Sequence, residues 1–178
     1  ESISRMLDVF ESVNREIPFD GLPWFFDHAE TISQRNIDRV SALGGGIAIQ
    51  DRMAFQGEYF VQRYGVEAAK QTPPIRRMLS AGLPVGAGTD ATRVSSFNPW
   101  YSLYWLVSGK TVGGLPLYSE GLSRELALEL YTHGSAWFSS EQGKKGMIKE
   151  GQFADFIALS ADYFTIDEEK IKQIESVL

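Results

Sequence analysis

The sequence has 178 residues, a formal net charge of −6 at pH 7 and no cysteine. This charge argues against a nucleic-acid or anionic-membrane partner, because both need clustered basic residues and the 17 basic residues here are scattered. The absence of cysteine excludes disulfides, thiolate nucleophiles and Cys-based zinc sites, although zinc can still bind histidine and carboxylate. No run approaches the roughly 20 apolar residues that a membrane span needs. The size and composition predict one soluble globular domain.

Helical and strand patterns alternate along the first half of the chain. The helical spacing of apolar residues predicts an amphipathic helix over residues 2–15. Short apolar runs predict buried strands at residues 24–26, 46–50 and 85–88.

Two further helices are predicted between these strands. One begins at about Ser33 and stops at Gly44, and the other follows two prolines and stops at Gly82. The stretch at 51–65 is too long for a simple turn. Such alternation predicts an α/β fold of parallel strands, either an open doubly wound sheet or part of an eight-stranded barrel.

The second half of the chain has a different character. The patterns predict an apolar helix from Pro99, a helix capped by Ser123, a short helix at 135–140, a strand or hairpin within 144–160 and a closing helical turn. The aromatic residues of the Pro99 helix, at helical spacing, are predicted to be core first and substrate wall second; they are Trp100, Tyr101, Tyr104 and Trp105.

His28 and Asp90 are the first candidates for chemistry. His28 follows the first predicted strand and Asp90 follows the third. In parallel βα architectures, catalytic groups gather at the carboxyl ends of the strands, and an imidazole with a carboxylate there is typical of a hydrolytic zinc site. The spacing alone leaves structural alternatives open: His28 as a core or surface histidine, and Asp90 as a cap of the following turn.

Three more residues near this edge are candidates for substrate binding. Gln50 ends the second predicted strand, and Arg93 could bind an anionic substrate group or remain a solvated loop residue. Asn98, before Pro99, either shapes the turn or contacts substrate. His133 lies between two predicted helices and is expected to be structural.

Three stretches resemble the carboxyl-terminal half of the amidohydrolase superfamily: "FFDHAE", "GAGTDA" and "KKGMIKEGQFADFIALS". More narrowly they resemble amidohydrolase family 3, the YtcJ-like and N-acyl-amino-acid-deacylase-like enzymes. The family motif (I/F)-x-H-A-(Q/E) matches at His28, and its G-(S/T)-D motif matches at Asp90. The family places a proline after the glutamine that matches Gln50, where this chain has Asp51.

The resemblance implies a fold and a site. Residues 1–142 would be the C-terminal portion of a (β/α)8 TIM barrel, strands six to eight, and residues 143–178 the return toward a small β-sandwich. His28 would be a metal ligand, and Asp90 both a metal ligand and the catalytic acid and base. The implied cofactor is a divalent metal, zinc in first place, with one or two ions in the full-length protein. Asp155, in the sandwich return, is expected to be a turn residue.

The implied activity is metal-dependent hydrolysis of an amide or other non-peptide C–N bond in a small molecule. A deaminase with the same metal chemistry and an inactive barrel scaffold are the alternatives. The upstream ligands of the family on barrel strands one, four and five have no counterpart here, so we expect an incomplete chain that associates with the missing N-terminal half or forms a homo-oligomer. The cytoplasm is the favoured compartment, although the sequence does not determine it.

Overall fold

A parallel sheet of three strands in the order β1-β2-β3 organises the chain in the computed structural model, which describes residues 1–93 and 95–177. The strands are β1 Phe25–Asp27, β2 Gly46–Gln50 and β3 Val85–Gly88. The helices are α1 Ser2–Glu16, α2 Gln34–Ala42, α3 Arg52–Tyr64, α4 Val66–Ala69, α5 Ile75–Ser80, α6 Pro99–Ser108, α7 Arg124–Glu129 and α8 Ser135–Phe138, with a π-helical turn at Leu130–Gly134 and a 3₁₀ helix at Glu168–Gln173.

The sheet confirms the predicted α/β class and the predicted parallel strands. Asp27 pairs with Ala48 in β2, and Gln50 pairs with Gly88 in β3. Because the strands run in one direction, their carboxyl ends meet at a single edge, and the residues that follow them share that edge.

Capping side chains start the helices where the sequence predicts. The Ser33 hydroxyl accepts from the Asn36 N–H at the start of α2, and the Ser123 hydroxyl accepts from the Leu126 N–H at the start of α7. At the other end of α2, Gly44 has a φ of 69°, a left-handed conformation that suits glycine and ends the helix. The undetermined stretch at 51–65 is helical and forms α3.

The core lies on both sides of the sheet and beneath α6. Ile47 and Ile49, on one face of β2, are fully buried. On the other face a Cβ at Gly46 would meet Trp137 and Phe138 of α8, as expected for a parallel strand covered on both faces. Tyr104 and Trp105 of α6 are also buried, which confirms the prediction that the aromatic helix belongs to the core. The Tyr104 hydroxyl donates to Glu169 at 2.9 Å and thereby joins the 3₁₀ helix to α6.

The predicted strand or hairpin over 144–160 is wrong. Apart from isolated bridges, such as Gln142 with Lys145 and Leu159 with Ser176, the described residues there form turns and irregular structure. Ile148 is 99% exposed and Phe156 is 65% exposed. A strand needs continuous hydrogen bonding to a neighbour and a covered apolar face. Pairing here is limited to isolated bonds, such as those from the Ser160 N–H to the Glu175 carbonyl and from the Val177 N–H to the Ala158 carbonyl. The division at residues 142 and 143 stays a prediction.

None of the described helices is both long and apolar enough to cross a membrane.

Candidate active site

His28 is positioned by the sheet itself. Its N–H donates to the Ala48 carbonyl at 2.8 Å, which extends the pairing of β1 with β2 by one residue. Beyond this bond the chain turns sharply, with φ of 66° at His28 and 50° at Ala29. A left-handed conformation costs free energy in a residue with a side chain, so the surrounding structure must hold it in place.

Asp90 approaches His28 from the other side of β2. It lies two residues beyond the end of β3 and also has a left-handed backbone, with φ of 51°. His28 Nε2 and Asp90 Oδ2 are 4.0 Å apart, and both side chains are about half exposed. Two residues remote in sequence therefore meet at the carboxyl edge of the sheet, as their positions after the strands predict.

This pair fits part of a metal site. Two atoms bound to the same tetrahedral zinc lie about 3.3 Å apart, so the observed separation needs only a small adjustment. Imidazole nitrogen and carboxylate oxygen are both zinc ligands. A catalytic zinc needs about three protein ligands, and residues 1–93 and 95–177 contain no group of three His, Cys, Asp or Glu side chains placed to hold a metal ion.

Gln50 lies between the two partners, at the end of the central strand. Its side-chain oxygen is buried and has no hydrogen-bond partner among the described residues. A buried oxygen without a donor is costly, and a substrate N–H group could supply that donor. The predicted role of Gln50 in substrate binding stays a prediction that this geometry favours.

Arg93 and Asn98 lie on the segment that joins β3 to α6. Arg93 is exposed. Asn98 is the N-cap of α6, because its side-chain oxygen accepts from the Trp100 N–H at 2.9 Å. Its oxygen thus has a structural task, and contact of either residue with substrate stays a prediction.

Asp51 is a residue of the site for which sequence reasoning assigned no role. It follows Gln50, is fully buried, and neither carboxyl oxygen has a hydrogen-bond partner in the described chain. Burial raises the pKa of Asp51 from its ordinary value of 3.8 to about 7, although the hydroxyls of Ser95 and Ser102 act in the opposite direction. The sequence does show an acid directly after a predicted buried strand. It does not show that this acid is buried in the folded chain.

Hydroxyl groups around Asp51 are equally unsatisfied. The hydroxyls of Ser102 on α6 and Tyr131 in the π-helical turn are buried and have no partner among the described residues. Burial raises the pKa of Tyr131, and the nearby Asp51 carboxyl acts in the same direction. Asp51, Ser102 and Tyr131 therefore form a group of buried polar side chains without hydrogen-bond partners among the described residues.

A second polar contact lies beside the carboxyl edge of the sheet. Arg52 Nη1 at the start of α3 lies 3.8 Å from Glu30 Oε2 in the loop after β1. Burial raises the pKa of Glu30, while the charges of Arg52 and then His28 lower it. Glu30 therefore binds a proton more readily than an exposed glutamate does.

His133 lies away from this edge. It belongs to the π-helical turn and lines a cavity with Pro84 and Val85, at the amino end of β3. The carboxyl ends of the strands hold His28 and Asp90, so the described structure does not bring the two histidines together at one centre.

The sequence was compared with known protein families and curated proteins. The profile of the amidohydrolase family matches residues 1–178. The Bacillus subtilis (strain 168) protein named "Putative amidohydrolase YtcJ" is 26% identical over 172 residues, which cover 94% of this chain and 32% of that protein. The chain thus spans about a third of the length of this curated relative.

Solved structures share the fold. An uncharacterized metal-dependent hydrolase from Pyrococcus horikoshii OT3 superposes with a TM-score of 0.74 at 26% identity, over 92% of this chain and 32% of that chain. One from Pyrococcus furiosus gives a TM-score of 0.69 at 28% identity, over 90% of this chain and 32% of its own. A mutant of atrazine chlorohydrolase TrzN from Arthrobacter aurescens TC1, complexed with zinc and atraton, shares the fold with a TM-score of 0.59 at 21% identity, over 85% and 32%.

Proposed function

Because this chain belongs to the amidohydrolase family, we propose that it forms part of a metal-dependent hydrolase that cleaves an amide or related C–N bond of a small molecule. The observation that carries the proposal is the approach of His28 Nε2 to within 4.0 Å of Asp90 Oδ2 at the carboxyl edge of the sheet. The similarity to metal-dependent hydrolases from two Pyrococcus species supports it.

His28 and Asp90 would hold the metal, for which we propose zinc. A bound divalent ion supplies polarisation of the scissile carbonyl and a lowered pKa of the attacking water. Beside such an ion, the Asp90 carboxylate would accept a proton from the attacking water and donate it to the leaving nitrogen. The half exposure of both side chains leaves room at the edge for a substrate.

The remaining ligands would come from outside this chain. Two ligand-type residues do not complete a catalytic zinc site, and this chain matches about a third of each relative's length. We propose that β1 to β3 are strands six to eight of a barrel whose other strands supply the missing ligands. We call this chain, together with the part that supplies those ligands, the assembled enzyme.

Substrate binding is assigned to Gln50, Arg93 and Asn98. The unpartnered Gln50 oxygen supports hydrogen bonding to a substrate N–H. Arg93, exposed on the loop of Asp90, would bind an anionic group. The side-chain NH₂ group of Asn98 would contact substrate while its oxygen caps α6.

The test measures metal content and turnover in the assembled enzyme. We expect about one or two zinc ions per enzyme and hydrolysis within a panel of N-acyl amino acids and aryl amides. Asp90→Asn should lower kcat about 10²–10⁴-fold, the usual contribution of a general acid and base. Asp38→Asn, on the exposed face of α2, is the matched control and should keep full activity.

The outcomes separate the alternatives. Release of ammonia from an amine substrate without amide cleavage would assign the site to a deaminase. Protein without bound metal and without turnover would be a scaffold. Full activity in Asp90→Asn would reject the role of Asp90.

A further inference from the structure

An open groove runs along α3 beside the candidate active site, with a volume of about 790 Å³. One face of the helix forms one wall, with Arg52, Gln56, Tyr59 and Arg63 at helical spacing. The opposite wall includes Glu30 and other residues of the loop between β1 and α2. Pockets for small molecules have volumes of about 300–1,000 Å³, so the α3 groove is large enough for a substrate.

The α3 groove presents aromatic surface to solvent. Tyr59 is 59% exposed and Tyr64 is 56% exposed. Phe60 packs against Tyr64 with ring centroids 4.7 Å apart, so these two rings form one apolar surface. Rings held in this way favour an aromatic or flat apolar ligand.

The α3 groove is positively charged although the chain carries a net charge of −6. Arg52, Arg63 and Arg77 line it, and Glu30 is the single acidic residue that lines it within the described chain. Arg52 lies 3.8 Å from Glu30. Arg63 and Arg77 make no ion pair in residues 1–93 and 95–177, so two guanidinium groups are available for an anion.

Arg63 combines the charge with the aromatic wall. Its guanidinium lies over the Tyr64 ring, 5.3 Å from the centroid, and donates to the Tyr59 hydroxyl at 3.4 Å. A guanidinium held against rings is pre-organised to bind a carboxylate, because little further ordering is needed.

The α3 groove borders the metal-ligand pair. Glu30 is two residues beyond His28, in the loop after β1. Arg52 is two residues beyond Gln50 at the end of the central strand. Glu30 and Arg52, which form this ion pair, therefore follow closely on two strand ends and also line the groove.

We propose that the α3 groove binds the non-reacting part of the substrate, and that this part carries an aromatic ring and a carboxylate. The ring packs on Tyr59 and Tyr64, and the carboxylate accepts hydrogen bonds from Arg63. This inference rests on the proposed function, since it assigns the substrate class of the same site.

The test uses binding without turnover. The probe is 3-phenylpropanoate, which has no scissile C–N bond, and its neutral comparison is 3-phenylpropanamide. The assembled enzyme is prepared free of metal, so that the probe carboxylate cannot bind an ion, and calorimetry measures both affinities. We expect the carboxylate to bind about tenfold more tightly than the amide, as one charge-assisted hydrogen bond provides.

Two arginine variants locate the binding. Arg63→Gln should abolish the preference for the carboxylate, whereas Arg35→Gln, an exposed arginine of α2 outside the groove, should keep it. Thermal melting of both variants confirms folding.

Equal affinity for the two probes, no binding of either, or an unchanged preference in folded Arg63→Gln would overturn the groove assignment. A retained preference in an enzyme that hydrolyses nothing would instead overturn the proposed function alone.

Discussion

His28 Nε2 and Asp90 Oδ2 lie 4.0 Å apart although their strands, β1 and β3, do not pair with each other. The central strand β2 separates them, and each side chain reaches across its end from a turn with left-handed backbone. Such backbone is maintained only where the surroundings compensate for its cost, and it is typical of functional sites. The two turns therefore orient this pair of side chains.

Replacement of His28 by Gln should reduce the zinc affinity of the assembled enzyme by more than about 100-fold. Loss of an outer partner of a metal ligand already costs 10–100-fold, and His28 is proposed as a direct ligand. Competition with a fluorescent chelator measures the affinity.

The second histidine of the chain provides the control. His133→Gln changes the same residue type at the amino end of β3, and zinc affinity should be unchanged. Equal losses in the two variants would show that His28 acts through the fold and not as a ligand.

Asp51 should make the protein less stable as the pH rises toward neutrality. Its pKa in the folded state is raised to about 7 by burial, so the folded state binds this proton more tightly than the unfolded state does. This stabilisation is fully present below pH 3.8, the pKa of Asp51 in the unfolded state, and is lost as the pH passes 7. A rise from 3.8 to about 7 corresponds to about 4 kcal/mol as an upper value.

Asp51→Asn removes this titration. Relative to wild type, the variant should therefore be more stable at pH 8 than at pH 4. The difference between the two free energies of unfolding should change by up to about 4 kcal/mol. Urea unfolding of the assembled enzyme at both pH values measures the difference. Asp38→Asn on the exposed face of α2 controls for the change of residue type. The same relative stability of Asp51→Asn at both pH values would show that Asp51 is ionised throughout this range.

The strand ends could be predicted from sequence because the signals are local. A short apolar run between helical patterns identifies a strand, and the residue after it must lie at the carboxyl edge. That reasoning placed His28, Gln50 and Asp90 together. Which helix closes over the next residue depends on tertiary packing, so the burial of Asp51 beneath Ser102 and Tyr131 could not be predicted.

The α3 groove was also beyond local reasoning. The stretch at 51–65 has mixed composition, and its helix is evident only once Met53 and Ala54 are seen packed in the core. The strand predicted within residues 144–160 was wrong although its local signals were clear. Its β-prone residues suggest a strand, but a strand requires continuous pairing, and the described chain provides only isolated bridges there.

The isolated chain of 178 residues should associate in solution. Exposed apolar side chains such as Ile148 and Phe156 lie on the segment that forms no strand, and β1 and β3 are edges of the described sheet. Sedimentation velocity should show a mass that rises with concentration. Ile148→Lys with Phe156→Lys should reduce this association, whereas Lys149→Arg, in the same segment, should not. A monomer at every concentration would contradict the prediction.

Gly121 should tolerate no side chain, because a Cβ atom there would overlap with the Val107 carbonyl group at the end of α6. Leu122 fixes this approach, since its N–H donates to the Leu106 carbonyl at 2.7 Å. Relief requires movement of backbone, so Gly121→Ala should lower the free energy of unfolding by about 2–4 kcal/mol. Gly88→Ala is the matched control, because a Cβ at Gly88 would meet no atom within 4 Å and its φ is not left-handed. Urea unfolding of the assembled enzyme measures both changes in the free energy of unfolding. If Gly121→Ala lowered it no more than Gly88→Ala does, the loop and α6 would be able to separate freely.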